Sequence, residues 1–360
     1  MIQAMLGMGR VSFIFQIMYA SRTPHFTECM LFSGGAFIAC CAYVVKGEAL
    51  IYRQALFDTI ACVAQTTTIA PNLRALYRRY FGFLGLNKIV HNALSIVVNV
   101  IARAQQFYFP KKFNWEWKLE MLSKKYEKET VALCRKIIMP GMQVIDIGAH
   151  IGYFSRIFSQ LVGNQGIVNC FEADPENFEL LNKNTKSLSN VRLFKNAVAD
   201  RDGTINFYHI EESTGCHSLI APASDSRKIT VDAVTLDSML KNGTLEPADI
   251  IKMDIEGGEP LALRGMKKLL TNSQNIQLIC EFNAESLATG GVSPQDFIAL
   301  LESFGFTVYG ITDAGPVPLK TLMDKNLNEY LLPTGYINLY CRKVSAQSSF
   351  SLKTEENMSA

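Results

Sequence analysis

The sequence predicts an α/β fold, a mostly parallel, doubly wound sheet preceded by an apolar helical region. Three observations carry this. From Gln143 onward, short apolar strand-like runs alternate with helix-length segments. A glycine-bearing turn, Asp146 to Gly152, joins the first such strand to the helix after it. Acidic residues recur where the strands end, at Asp146, Glu172, Asp254 and Glu281.

The chain begins differently. Residues 1–110 hold nine Lys/Arg against three Asp/Glu, whereas residues 111–360 hold 26 against 30. A basic apolar segment points to a membrane or its anionic surface. Nucleic acid is not expected, because the basic residues are scattered and not interleaved with aromatics. The uncharged runs Cys29–Val45, Val11–Ser21 and Ile89–Ala102 are short for a bilayer span, and no secretory signal precedes them. Three readings of residues 1–110 stay open: membrane-associated helices, a helical domain packed on the rest, or a misassigned start. Pro110 and Lys111–Lys112 mark the boundary to a second domain, residues 111–344, and a polar tail, residues 345–360, follows.

In the second domain a charged helix is expected over Trp115–Ile138, ended by Pro140–Gly141. Gln143–Ile147 reads as a buried strand, Tyr153–Leu161 as a helix, Ile167–Phe171 as a strand, Pro175–Ser187 as a helix and Val191–Phe194 as a strand. Thr204–Ile210 and Lys228–Ala233 read as two further strands around a loop. Then come helix Leu236–Leu240, strand Asp249–Met253, helix Pro260–Leu270, strand Ile276–Glu281, helix Pro294–Phe304, and strands Thr307–Ile311 and Tyr336–Cys341.

Nine cysteines, odd in number and without C-x-x-C, fit buried thiols of a reducing compartment. The expected location is therefore the cytoplasm, at the membrane if residues 1–110 bind there. Clustered metal ligands at short spacing are not seen, so no metal site is expected.

Chemistry concentrates in three places. In Asp146-Ile147-Gly148-Ala149-His150-Ile151-Gly152, the glycines let a turn approach a ligand closely, and ligands of doubly wound sheets bind at the carboxyl ends of strands. A dinucleotide needs G-x-G-x-x-G, and His150 stands where its second glycine belongs. The spacing instead suits a cofactor without phosphate, such as S-adenosylmethionine, whose ammonium Asp146 can orient. Next, Phe171-Glu172-Ala173-Asp174-Pro175 places Glu172 where an acid binds a ribose diol, while Asp174 before Pro175 fits a helix N-cap. Third, Lys252-Met253-Asp254-Ile255-Glu256-Gly257-Gly258-Glu259 crowds four ionisable groups at a strand end. Glu259 suits a helix N-terminus. Lys252, Asp254 and Glu256 share parity and form the candidate catalytic set. His217 in the Ser213–Ser218 loop and Glu281 are candidates for the acceptor side, each weighed against an ordinary surface or strand-end role.

These segments, with Tyr126-Glu127, Pro140-Gly141, Tyr153-Phe154-Ser155, Asn196-Ala197-Val198-Ala199, Thr235-Leu236-Asp237 and Glu281-Phe282-Asn283, run in order over residues 115–342 and resemble the FkbM family of S-adenosylmethionine-dependent methyltransferases. One position departs: the family usually has Asn at His150. The resemblance implies a Rossmann-like class I methyltransferase fold and methyl transfer to a hydroxyl of a glycan, a lipid-linked sugar or a secondary metabolite. It also implies that S-adenosylmethionine is held by the turn residues Asp146, Gly148, Ala149, His150, Gly152 and Tyr153. Glu172 and Ala173 follow the next strand, Asn196 and Ala197 lie near the adenine, Glu127 flanks the cofactor, and Asp254 borders it. Two alternatives remain: a nucleotide-dependent oxidoreductase and a non-catalytic membrane-tethered binding module.

Overall fold

Valine, isoleucine and leucine runs too short for helices, each followed by a turn, assemble the centre of the protein. The structure, a computed structural model, describes residues 87–111, 113–209, 218–220, 226–324 and 335–343. The chain divides into two units, Met1–Leu94 and Ser95–Ala360. The uncharged runs before residue 87, the tail and His217 lie outside the described residues.

Helix α1, Asn87–Ala104, is followed by α2, Trp115–Leu122, and α3, Lys128–Ile137. Among the described residues no helix is long and apolar enough to cross a membrane. Val98, Ala102 and Phe107 are buried in one apolar cluster with Ile151, Phe158 and Leu181, and the Asn184 amide bonds the Tyr108 carbonyl at 2.9 Å. Buried packing thus runs across the composition change at Pro110.

The single helix expected over Trp115–Ile138 is instead two. Lys124 (φ 59°) and Glu127 (φ 44°) take left-handed backbone conformations that no helix interior accommodates, and Asn114 caps α2 by accepting the Trp117 N–H at 2.8 Å.

After this come β1 (Gln143–Ile147), α4 (Tyr153–Val162), β2 (Ile167–Phe171), α5 (Pro175–Thr185) and β3 (Val191–Phe194). Then follow β4 (Ala197–Val198), β5 (Gly203–His209), β6 (Arg227–Val234), α6 (Leu236–Lys241), β7 (Ile250–Met253), α7 (Glu259–Gly265) and α8 (Lys267–Asn272). The chain continues through β8 (Gln277–Asn283), α9 (Ala284–Thr289), α10 (Pro294–Ser303), β9 (Phe306–Thr312), β10 (Gly315–Pro318), α11 (Leu319–Asp324) and β11 (Tyr336–Lys343).

Eight strands form one sheet in the order β10-β9-β11-β8-β7-β1-β2-β3. The run β3-β2-β1-β7-β8 is parallel. β11 inserts antiparallel between β8 and β9, which a wholly parallel dinucleotide-binding sheet lacks. This is the class I methyltransferase arrangement that the resemblance implied. A second sheet, β4-β6-β5, holds the two extra strands.

Alternation along β1 decides what faces where. Val144 joins the apolar cluster under α4, whereas Ile145 and Ile147 join the cluster on the opposite face with Met253, Leu263 and Phe297. Asp146 shares the α4 side. Cys134, Cys170, Cys280 and Cys341 are buried free thiols, as expected.

Three more departures have local reasons. The helix expected over Pro260–Leu270 breaks at Met266, because Gly265 presses against the Ala199 carbonyl, leaving no room for even a Cβ. β10 contains Pro316 and Pro318, tolerable since it is an edge strand. α9 starts directly from β8 because the Asn283 side chain accepts the Glu285 and Ser286 N–H groups.

Candidate active site

The carboxyl ends of β1, β2, β7 and β8 converge where β1 and β7, neighbours in space, are separated by more than a hundred residues in sequence. The turn after β1 is held by its own backbone. Gly148 and Ala149 both donate to the Phe171 carbonyl at 2.9 Å, and the Asp254 N–H reaches the Ile147 carbonyl at 3.0 Å. Gly148 has φ 77°, and a Cβ on it would lie 1.9 Å from the Asp254 carbonyl oxygen. Only glycine fits.

His150 is also left-handed, φ 50°. Asn and His are among the side chains that tolerate this region best, so His150 meets the backbone demand that Asn meets elsewhere in the resembling family. Its N–H donates to Glu172 Oε2 at 2.7 Å, while the other carboxylate oxygen accepts the Asp174 N–H at 2.8 Å. Burial pushes the Glu172 carboxyl up to about 8, against the backbone N–H of Asp174 that favours its charge. Asp174 caps α5, accepting the Glu176 and Asn177 N–H groups at 2.9 Å, and its second oxygen meets His209 Nδ1 at 2.5 Å.

Asp146 is fully buried. Its Oδ2 accepts the Ser155 hydroxyl at 2.7 Å, and its Oδ1 has no hydrogen-bond partner among the described residues. It opens onto a cleft lined also by Met121, Tyr126, Glu127, Gly148, Ala149, His150, Tyr153, Phe154, Lys252 and Asp254. The cleft, with its open mouth, encloses about 330 Å³. An orphaned buried carboxylate oxygen is costly, and an ammonium donor would satisfy it. A turn with no room for a Cβ and a surplus of acids fit the cationic end of S-adenosylmethionine.

Lys252 is 3% exposed, lies 4.5 Å above the Phe154 ring and donates to Asp254 Oδ2 at 2.9 Å. Burial opposes its charge, but Asp254, Glu127 and Asp146 outweigh that and hold its pKa above the ordinary lysine value. Burial likewise works against the Asp254 charge, yet Lys252 and a hydrogen bond from Glu281 hold its carboxyl below the usual range. Burial, and then Asp254, push Glu281 well upward, so the proton of that pair lies toward Glu281. Glu256 stands in a strained left-handed turn, φ 53°, with its carbonyl accepting the Ser218 hydroxyl at 2.7 Å. Carboxylate oxygens of Asp254, Glu256 and Glu281 lie within 4.8 Å of one another. Glu259, 2% exposed, bonds the Ile255 N–H at 3.0 Å and closes the turn, the helix-start role read from sequence.

The fold therefore brings Glu127, Asp146, Gly148, Ala149, His150, Tyr153, Lys252 and Asp254 to one cleft, with Glu256 and Glu281 beside Asp254. Gly152, Glu172, Ala173, Asn196 and Ala197 do not line it. Gly152 packs on Leu181, and Ala173 and Ala197 are buried against Phe207 and Val231. Phe154 and Ser155, part of the motif that carries the resemblance, have no site role assigned from sequence, and Asn338 is not singled out there at all. Ser155 was legible only as the third residue of the helix after the turn, and Asn338 had no local signal.

Residues 146–308 match the methyltransferase FkbM domain. This stretch, somewhat under half of the chain, is thus similar to the FkbM methyltransferase domain that the sequence motifs resemble. It is similar to the 2-O-methyltransferase NoeI of Sinorhizobium fredii, 29% identical over 197 residues that span 51% of this chain and 79% of NoeI. It is also similar to the hexuronic acid methyltransferase AglP of Haloferax volcanii, 26% identical over 158 residues, 43% of this chain and 59% of AglP. Among solved structures, a precorrin-6y C5,15-methyltransferase from Geobacter metallireducens aligns over 66% of this chain and 95% of its own, at 14% identity and a TM-score of 0.38. The cofactor of this methyltransferase domain is S-adenosylmethionine. This sets aside both the oxidoreductase and the non-catalytic alternatives.

Proposed function

We propose that this methyltransferase O-methylates a hydroxyl of a saccharide, free or within a glycan or lipid-linked sugar, and that Asp254 receives the acceptor. One observation carries the reading. Asp254 is an ionised carboxylate at the edge of the cofactor cleft, anchored on one oxygen by Lys252 at 2.9 Å. The names of two relatives, a 2-O-methyltransferase and a hexuronic acid methyltransferase, support the acceptor class.

S-adenosylmethionine supplies a methyl already activated on a sulfonium. Positioning then provides most of the rate. Asp146 would hold the ammonium, and Gly148 would keep the cofactor's approach open. Lys252 fixes the orientation of Asp254, and Glu281, held toward its protonated form by burial and the Asp254 charge, adds a further hydrogen bond. A carboxylate held this acidic is a weak base toward a resting hydroxyl. It becomes competent as the new O–C bond forms, because the oxygen's proton then acidifies sharply. Asp254 thus orients the hydroxyl first and accepts its proton late. Glu256 and Glu281 flank the acceptor's path.

Labelled methyl transfer from S-adenosylmethionine to saccharide, lipid and amine fractions tests this. Label in alkali-stable ether linkages on sugars is expected. Label confined to amines would overturn the O-methyl reading.

A further inference from the structure

We infer that Asn338 is a positioning residue that aims the Glu127 carboxylate into the cleft, so that Glu127 and Asp146 together hold the cationic end of the cofactor. This deepens the reading above and rests on it.

Asn338 lies on β11, the reversed strand, and is 6% exposed. Its Nδ2 donates to Glu127 Oε2 at 2.7 Å and to Thr130 Oγ1 at 3.0 Å. Both amide hydrogens are therefore committed, one to a carboxylate that lines the same cleft as Asp146 and Gly148. The bond joins residues 211 apart in sequence.

The turn that carries Glu127 is clipped from the other side as well. The Tyr153 hydroxyl donates to the Tyr126 carbonyl at 3.1 Å, and the two rings meet edge-on with centroids 5.4 Å apart. Glu127 itself sits at φ 44°, a conformation glutamate adopts only where surrounding contacts impose it. The contacts that impose it come from α4 and β11.

Charge supplies the reason. Glu127, Asp146 and Asp254 all act on the single ammonium of Lys252. Among the described residues of the cleft, one lysine ammonium faces three carboxyl groups, which leaves the cleft short of positive charge. S-adenosylmethionine brings two cationic centres and one carboxylate. Burial, and with it the Asp254 charge, push Glu127 upward, while Lys252 opposes them, so a further cation at this spot stabilises its ionised form. A donor amide at Asn338 stabilises the ionised form in the same direction and fixes where it points.

Calorimetric binding of S-adenosylmethionine to the full chain tests this without an acceptor. Asn338→Leu and Glu127→Gln should each weaken binding about 10-fold or more, the scale of a charge-assisted hydrogen bond. The double variant should bind no more weakly than Glu127→Gln alone, because the two act through one contact. Thr130→Val removes a hydroxyl that touches both the amide and the Glu127 carboxylate, and should weaken binding less than Asn338→Leu does. Asn338→Asp keeps the shape but sets a second carboxyl against Glu127. It should weaken binding at least as much as Asn338→Leu, and it serves if the leucine variant does not fold. Folded Asn338 variants with wild-type affinity, or effects that add in the double variant, would overturn the inference and leave the methyltransferase reading intact. A wild-type protein that binds no S-adenosylmethionine would overturn both.

Discussion

The turns after β1 and after β7 stand side by side in the sheet and are built on opposite plans. The first, Asp146–Gly152, is a backbone structure: Gly148, Ala149 and His150 spend their N–H groups on the Phe171 carbonyl and the Glu172 carboxylate. The second, Met253–Glu259, is a side-chain structure in which Lys252, Asp254 and Glu281 share charge and protons, while Glu259 closes the loop. A backbone cradle recognises shape and tolerates few substitutions. A carboxylate cluster handles protons and depends on which neighbours are charged. On the proposed function the contrast divides holding a cofactor from preparing an acceptor, and the two turns meet where Gly148 lies against the Asp254 carbonyl.

The largest expected effect breaks the acceptor side alone. Asp254→Asn should lower kcat by roughly 10²–10⁴-fold, the usual range for a general base, while Kd for S-adenosylmethionine moves only a few-fold. Equal loss in both would erase the division between the turns. Gly148→Ala attacks the point where they touch. With a Cβ 1.9 Å from a backbone oxygen and φ 77°, several kcal/mol of stability should go, seen as a lower melting temperature together with lost cofactor binding.

Glu172→Gln sharpens the cofactor side. It leaves one of two backbone N–H groups, from His150 or Asp174, facing an amide donor, a loss of about 1–3 kcal/mol. Calorimetry on this variant also asks whether Glu172 meets the ribose, as its place after β2 suggests, or only clamps the turn.

The smallest effect is gradual. Burial lifts Glu259 to about 7, above its ordinary value. The folded chain therefore holds this proton where the unfolded chain has lost it. Stability should fall as pH rises from about 4.5 to about 7 and level off beyond. Urea unfolding of Glu259→Gln across that range should give a flatter profile than wild type.

Local chemistry made much of this readable in advance. β1 and β2 have the bounds expected from their apolar runs, Gln143–Ile147 and Ile167–Phe171. The Asp174 cap, the glycine turn and the pairing of Lys252 with Asp254 follow from residue type and strand parity over a few positions. The misses share a different cause. Helices read as continuous break at Glu127 and Met266 because distant contacts impose those bends, and Asn338 looks like any strand residue until β11 places it against α3.

The sequence by itself determined the alternating α/β order, the phosphate-free cofactor turn and the acids at the strand ends, because each is a short-range matter of side-chain period, steric freedom at glycine and residue type. Only the tertiary structure decided which acids share a cleft, which one keeps its proton and which remote amide aims Glu127. Those outcomes depend on burial and on charges brought within a few ångströms by strands far apart in the chain, and no local pattern encodes that distance.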